Sequence, residues 1–545
     1  MKISAFAIGL VTSSSLLAAT AIAGAVKITD LAANNAKTDG VAAVNVIAAE
    51  LGQSIVAEGR MKLENPTDLI GYYGYDNDGP LTPAAGAVQP KDNQVEATKT
   101  EPDKNNYLIL ADQKGADATY NYGTHFVFQG HENGVVKDGQ PQGYFIRINL
   151  DADEAHRVTL MATKDTSGNT LRFIDGSTWN PFAKRLLLTG EEGDEGGLWQ
   201  ATAEFPATVD DLRGVAGIGS YEGVQTDKDG NLWIVEDSGG DKGKVNKHSR
   251  QPNSFVYRLI PADKSDRKKG GKLEVLQIKG KDGQPILFHD GQIDADATSQ
   301  AVKDQYAYDN TLNTKWVLVH DTASDGSAPF EANKLAKAKG GTPLKRPENG
   351  MFRPGMEFAE FYFTTTGDTN TDTEVGPEGG GFGGIFKLAQ ASASAEEGTL
   401  SIVYRADADH GSFDNLAFLS ADELAIVEDA GDKLHSQRKA FDAGYLINVT
   451  ADYGKPNAPA PVRFLTIGRD DAATVDSALL AIEDYGFQND GDNEITGIHV
   501  SDGDASEAGL LGAKIPTVFE NGWRVFYTRQ HGKNETYEIE NSATM

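Results

Sequence analysis

The residues of this chain best suited to chemistry are acids that recur at a fixed spacing. GSYEGVQTDKDGNLWIVEDSG runs from Gly219 to Gly239, and GSFDNLAFLSADELAIVEDAG runs from Gly411 to Gly431. The two segments align without a gap, placing Glu222 on Asp414, Glu236 on Glu428 and Asp237 on Asp429. In each copy one acid precedes a strand-like run and an acid pair ends the next. Neighbouring acids on an extended strand point to opposite faces, so only one of each pair can face a shared channel. Oxygen-only ligand sets of this kind suit hard cations, calcium foremost. Similar acids stand elsewhere: Glu191 in LLLTGEEGDEGG and Glu494 in DGDNEITGIHV. RPENGMF places Arg346 and Glu348 two apart, on one face if extended, so that Arg346 can grip a phosphate or carboxylate while Glu348 binds metal.

Any single acidic pair reads first as a solvated turn, and it is the repeated set that points to an ion site. The runs Asp76–Gly79 and Asp227–Gly230 do not complete an EF-hand loop and read as hairpin turns. RQHGKNE, from Arg529 to Glu535, sets a late histidine beside two cations and reads as structural. No GxSxG elbow, HExxH pair or P-loop occurs, so serine-hydrolase chemistry has no visible support.

The elements that must position these acids are strands. Glycine-rich turns and short β-branched or aromatic runs predict an all-β fold. The runs are YLILAD near Tyr107, GYFIRINL, NLWIVED, SFVYRLI, KWVLVHD, EFYFTTT, GIFKL, TLSIVYRA, ELAIVED, GYLINVT and WRVFYTR. Several repeat one cadence, a strand ending in acids, a Gly-rich or charged loop, then an aromatic-led strand. This predicts a β-propeller whose repeat covers two blades, hence six blades of roughly 80–90 residues with long insertions. The insertions fall at Pro80–Lys104, Ala262–Lys272 and Ser324–Gly341, and one helix is expected from Asp471. Propeller closure would gather acids from several blades around one end of the channel, where carboxylates cannot all stay ionised without cations.

The chain has 545 residues with 80 Asp and Glu against 50 Lys and Arg, a formal charge of −30. That balance argues against nucleic acid as a partner. No cysteine is present, so disulfides and thiolate ligands are excluded. Residues 1–23 read as a cleaved secretory signal ending at Ala21-Ile22-Ala23, and residues 24–545 as one propeller domain. No later run is apolar for long enough to span a bilayer. The expectation is a periplasmic or secreted monomer without membrane insertion.

The ordered motifs GSTWNPFAKRLLLTGEEG from Gly176, SYEGV with LWIVED, RPENGMF with FYFTTTG, FDNLAF with LAIVED, NEITGI and the late RQHG resemble the PhoX-type alkaline phosphatase family of exported bacterial β-propeller phosphatases. The resemblance runs from about Asn65 to Glu540. It implies a calcium-dependent phosphomonoesterase acting on a small phosphorylated substrate, with a metal centre at the propeller axis that also contains iron. It further implies Glu222 and Glu348 as metal ligands, Arg346 on the substrate phosphate, and Glu191 in or beside the cluster. With these stand Glu236, Asp237, Asp414, Glu428, Asp429 and Glu494 as candidate ligands read from the repeat. The family's cysteine, in a motif like LTCEE, is here Gly190 within Leu188–Glu192, which counts against iron. The family's twin-arginine export signal is also missing. Two other readings stay open: a calcium-binding propeller without catalysis, and a propeller hydrolase for another ester or a lactone.

Overall fold

The computed structural model describes residues 20–23, 26–38, 41–75, 81–83, 94–96, 99–137, 140–191, 195–469 and 493–544. The helix expected from Asp471, the turn at Asp76–Gly79, Glu192, Asp194 and most of the expected signal segment lie outside the described residues. Each of the apolar runs quoted above lies on a strand. Many are buried along their whole length, as in Leu232–Glu236, because both faces of each sheet are covered by neighbouring sheets. The chain reverses at tight turns. At one of them Asp227 accepts the amides of Asp229 and Asn231 and the indole N–H of Trp233, which confirms the hairpin reading of that acidic run.

Successive antiparallel meanders surround one axis. Their inner strands, first to sixth, are Asn106–Ile109, Ile174–Asn180, Tyr221–Thr226, Pro347–Phe352, Phe413–Phe418 and Glu494–Ser501. Each inner strand's meander lies against the next, and the last inner strand lies against the first. This is a propeller-like arrangement. By hydrogen bonding the ring holds five sheets, because Leu312–Asp321 pairs with both Gly271–Ile278 and Glu397–Arg405 and joins the third and fourth meanders into nine strands. The ring is closed by the N-terminal strand Leu51–Glu58, which pairs with Glu535–Asn541. Thr20–Ala23 pairs with Val26–Thr29. Six short helices among the described residues went unread in the sequence, the longest being Ala332–Lys339 in an expected insertion and Gly431–Arg438 after the second repeat. No helix of the described residues is long and apolar enough to cross a membrane.

The core lies between sheets rather than at the axis. Between the third and fourth meanders, Trp233 meets Trp316, Phe352 and Phe361 at ring-centroid distances of 5.2, 5.1 and 5.1 Å. Replacing Trp233 by alanine removes that junction and the hydrogen bond to Asp227. The Trp233→Ala variant is expected to lose about 3–5 kcal/mol of stability, read as a lowered urea midpoint.

Candidate metal centre

Every inner strand carries the same irregularity at the same end. Ile174 pairs with Gly190 but Ser177 pairs with Leu188, so the inner strand holds one extra residue. The same shift occurs between Tyr221 and Val224, Pro347 and Gly350, Phe413 and Leu416, and Thr496 and His499. In the first meander Pro102 bridges His131 while Asn106 pairs with Phe128, again one residue too many. A β-bulge bends the strand and re-aims the side chain it carries. The first bulged residue is Asp103, Asp175, Glu222, Glu348 and Asp414 in the first five meanders and Gly497 in the sixth. The chain enters four of these bulges through a left-handed residue: Glu101, Phe173, Arg346 and Ser412 have φ of 47, 50, 54 and 61°. Backbone crowding at the axis also explains Gly176, where a Cβ would lie 2.5 Å from the Glu222 carbonyl oxygen.

The neighbouring strands add a second tier. The residue after the bulge's partner is Glu132, Glu191, Asp237, Thr366 and Asp429 in the first five meanders. Together the tiers line a cavity of ≈ 110 Å³ with nine carboxylates: Glu101, Asp103, Glu132, Glu191, Glu222, Glu348, Asp414, Asp429 and Glu494. Arg346, His531 and Gln530 complete its wall. Asp237 joins Glu222 and Glu348 at its edge and receives Arg346 through Nε and Nη2 at 2.9 and 2.6 Å. Thr366 Oγ1 donates to Glu348 Oε1. Gln530 Nε2 donates to Asp103 Oδ2 at 3.0 Å and Glu132 Oε1 at 2.6 Å.

Glu191, Glu222, Glu348, Asp414, Asp429, Glu494 and Arg346 thus converge, with Asp237 adjoining. Glu236 and Glu428 do not, and the two-residue period of the strand is the reason. Glu236 turns outward to accept from Phe255 N, Tyr257 OH and Asn333 Nδ2 at 3.1, 3.0 and 3.0 Å. Glu428 accepts from Gly411 N and Ala443 N at 2.9 and 3.0 Å and pairs with Arg438 at 3.1 Å. Their place as candidate ligands is corrected to that of buried struts. Gly190 shares their register, and a Cβ there would meet the Trp199 ring at 2.7 Å rather than the cavity.

Asp103, Asp175, Glu101 and Glu132 were missed, as was the part played by His531. Asp103 and Asp175 had a signal: an apolar or proline residue, an acid, then Lys, Gly or Asn ahead of a strand, as in EPDK and FIDG, matching YEG, PEN and FDN. Glu132 sits inside the long strand His125–Lys137 and carried no such mark. His531 Nδ1 lies 3.1 Å from Glu101 and Nε2 3.3 Å from Glu494. Burial alone would push its imidazole down, but these two carboxylates override it and hold the ring well above its ordinary value. Lys104, buried beneath the acids, donates to Asn349 Oδ1 at 2.7 Å.

So many acids in one dry cavity cannot all be charged alone. Burial first, and neighbouring carboxylates with it, push Glu132, Asp175, Glu222, Glu348, Asp414 and Glu494 well above the carboxylate range. Asp103 is pushed up to about 6, by burial above all. The buried Asp175 meets the Glu222 carboxyl rather than a cationic partner among the described residues, so a proton shared between the two acids or a cation must answer its charge. Three acid triads overlap in a row: Asp103–Glu132–Asp175, Asp175–Glu191–Glu222 and Glu222–Asp237–Glu348. Within each, ligand oxygens lie within 4.8 Å of one another. Oxygens ~2.4 Å from a common calcium lie at most about 5 Å apart, so hard cations fit this donor set. A thiolate-bound iron does not fit a chain that lacks cysteine.

Two outcomes follow. Acids whose folded pKa exceeds the unfolded value penalise the folded state as pH rises from the unfolded pKa toward the folded one. Chelator-treated protein is therefore expected to melt at progressively lower temperature from about pH 5 to pH 8, with added calcium reversing the fall by several degrees. A calorimetric melting temperature that is flat with pH and indifferent to calcium would contradict it. Gly190→Cys is expected to lose about 1–3 kcal/mol by forcing Trp199 aside, measured by denaturant unfolding.

The comparisons agree with this architecture. Residues 249–506 match the family model of the alkaline phosphatase PhoX. Among solved structures, Pseudomonas fluorescens PhoX in complex with vanadate, a transition state analogue, aligns at a TM-score of 0.53 and 10% identity, covering 94% of this chain and 98% of that one. A PQQ-bound aldose sugar dehydrogenase from Streptomyces coelicolor aligns far less well, at a TM-score of 0.25 and 10% identity over 70% of this chain and 93% of that one. No curated protein matches the chain. The matched stretch, residues 249–506, is similar to the alkaline phosphatase PhoX family that the ordered motifs resemble.

Proposed function

We propose that the axial cavity hydrolyses phosphate monoesters, in an exported protein whose fold we read as a six-bladed propeller. The observation that carries this reading is the convergence of Glu191, Glu222, Glu348 and Asp414 in one cavity with Arg346 on its wall. Asp103, Glu132, Asp175, Glu191, Glu222, Asp237 and Glu348 would hold calcium, which when bound supplies polarisation of phosphoryl oxygens and offsets charge developing on them. Arg346 is the chain's own phosphate grip. The Nε–Nη2 edge of its guanidinium is fixed on Asp237, and Nη2 stands 3.5 Å from Glu348. That clamp orients the side chain before a substrate arrives, and Nη1 makes no hydrogen bond with a described residue. His531 supplies the second positive charge, held between Glu101 and Glu494. Thr366 and Gln530 fix Glu348, Asp103 and Glu132 in place. Export rests on the first 23 residues as a signal segment.

The test is p-nitrophenyl phosphate hydrolysis by metal-stripped protein, with and without calcium. Calcium-restored turnover is expected. Glu348→Gln keeps the side chain's shape and its acceptor for Thr366, so kcat/KM should fall on the order of 100-fold or more with the melting temperature nearly unchanged. Full activity in that variant would refute the role of Glu348. Folded protein inactive under both conditions would favour the calcium-binding propeller.

A further inference from the structure

Besides Glu494, the sixth meander brings hydrogen-bond donors rather than acids to the axial cavity. Its bulge carries Gly497, and two side chains hold Asp103 from either side of it. Thr496 Oγ1 donates to Asp103 Oδ1 at 2.7 Å and Gln530 Nε2 to Oδ2 at 3.0 Å. Gln530 ends the strand Arg524–Gln530 opposite Glu494, lines the cavity and is 1% exposed. Its Nε2 also donates to Glu132 Oε1 at 2.6 Å. Both hydrogens of the amide are thus spent on Asp103 and Glu132, two members of the first acid triad.

Those partners dictate which way the amide lies. Ionised carboxylates only accept, so the nitrogen end must face Asp103 and Glu132 and the carbonyl end must turn from them. Oε1 accepts from no described residue, and it is open to the cavity rather than walled in by protein. Covalent geometry sets Oε1 about 2.2 Å from Nε2, hence no more than about 5 Å from the Glu132 oxygen that Nε2 reaches. That is the span allowed to two oxygens on one calcium. A buried carbonyl oxygen without a donor calls for a partner. Beside a triad of carboxylates, the partner that gains most from one more oxygen is a hard cation.

We propose that Gln530 Oε1 is a neutral ligand for a cation held by Asp103, Glu132 and Asp175, and that it selects calcium over magnesium there. This rests on the calcium reading of the cavity. Calcium takes more oxygens than magnesium, in a looser geometry, whereas magnesium keeps several of its waters. A neutral oxygen raises the ligand count without adding to the repulsion among the carboxylates. Europium in place of calcium tests this, because its luminescence lifetimes in H2O and D2O count the waters bound to it. Gln530→Met removes the oxygen and keeps the side chain's bulk. The europium-loaded variant should hold about one more bound water in total than the wild type. By titration calorimetry its calcium affinity should fall about tenfold, and its magnesium affinity less. An unchanged water count would overturn ligation and leave Gln530 a positioning residue. Equal losses for the two ions would overturn the selectivity. Should Gln530→Met fail to fold, the wild type decides the matter. With glutamine side-chain carbonyls labelled with carbon-13, calcium should shift an amide carbonyl band in the infrared difference spectrum, and no shift would overturn ligation. Wild-type protein that binds neither calcium nor europium would overturn the calcium reading itself, and the ligand with it.

Discussion

The structure depends on placing nine carboxylates around one small cavity at the axis of a ring. Such a concentration of negative charge opposes folding unless protons or cations answer it, because removing ions from water costs several kcal/mol each in real proteins. The fold meets this demand in part on its own. Arg346 and His531 stand in the wall, Lys104 lies beneath, and Thr366, Thr496 and Gln530 donate to individual acids. Two cations among nine acids leave a charge that hard metal ions are suited to balance. The resting state of the cavity is thereby linked to pH and to cation supply.

One backbone device produces the whole arrangement. A bulge at a common register in each meander turns a side chain from the sheet face toward the axis, and the following strand end adds a second side chain just above it. The ring then multiplies the device. Hydrogen bonds between meanders hold the bulges at a fixed spacing: Thr189 Oγ1 donates to the Glu222 carbonyl at 2.6 Å, and Ser177 Oγ donates to the Lys104 carbonyl at 3.0 Å. The sixth position has Gly497 instead of an acid, and a Cβ there would meet Asn105 Nδ2 and the Asp103 carbonyl oxygen at 2.8 Å. Departure from symmetry therefore falls where the backbones of the first and last meanders come together.

The same register explains what lies outside the cavity. Glu236, Glu428 and Gly190 occupy one equivalent position, one residue before the second-tier acids, and all face away from the cavity. Burial pushes Glu236 up to about 8 and Glu428 up to about 7, in keeping with side chains that serve as hydrogen-bonded struts. Outside the cavity carboxylates hold backbone instead: Asp294, Glu374 and Asp368 accept amides of the loop after Asp237, and Asp368 also accepts Lys345 Nζ.

By itself the sequence determined the all-β class, the strands, the repeat, the pairing of Arg346 with Glu348 and the chance that one acid of each pair would face a channel. These depend on local periodicity and on residue order, which a single chain displays directly. Asp175 and Asp103 were legible in principle from the apolar–acid–Gly or –Lys pattern before a strand. Only the tertiary structure decided that Asp237 and Asp429 face the axis while Glu236 and Glu428 do not, because a bulge shifts the alternation by one residue and carries no unambiguous sequence mark. Glu132, Glu101 and His531 joined the cavity for the same reason: their partners lie in other meanders. Ring closure alone brings Glu101, Glu494 and His531 together from opposite ends of the chain.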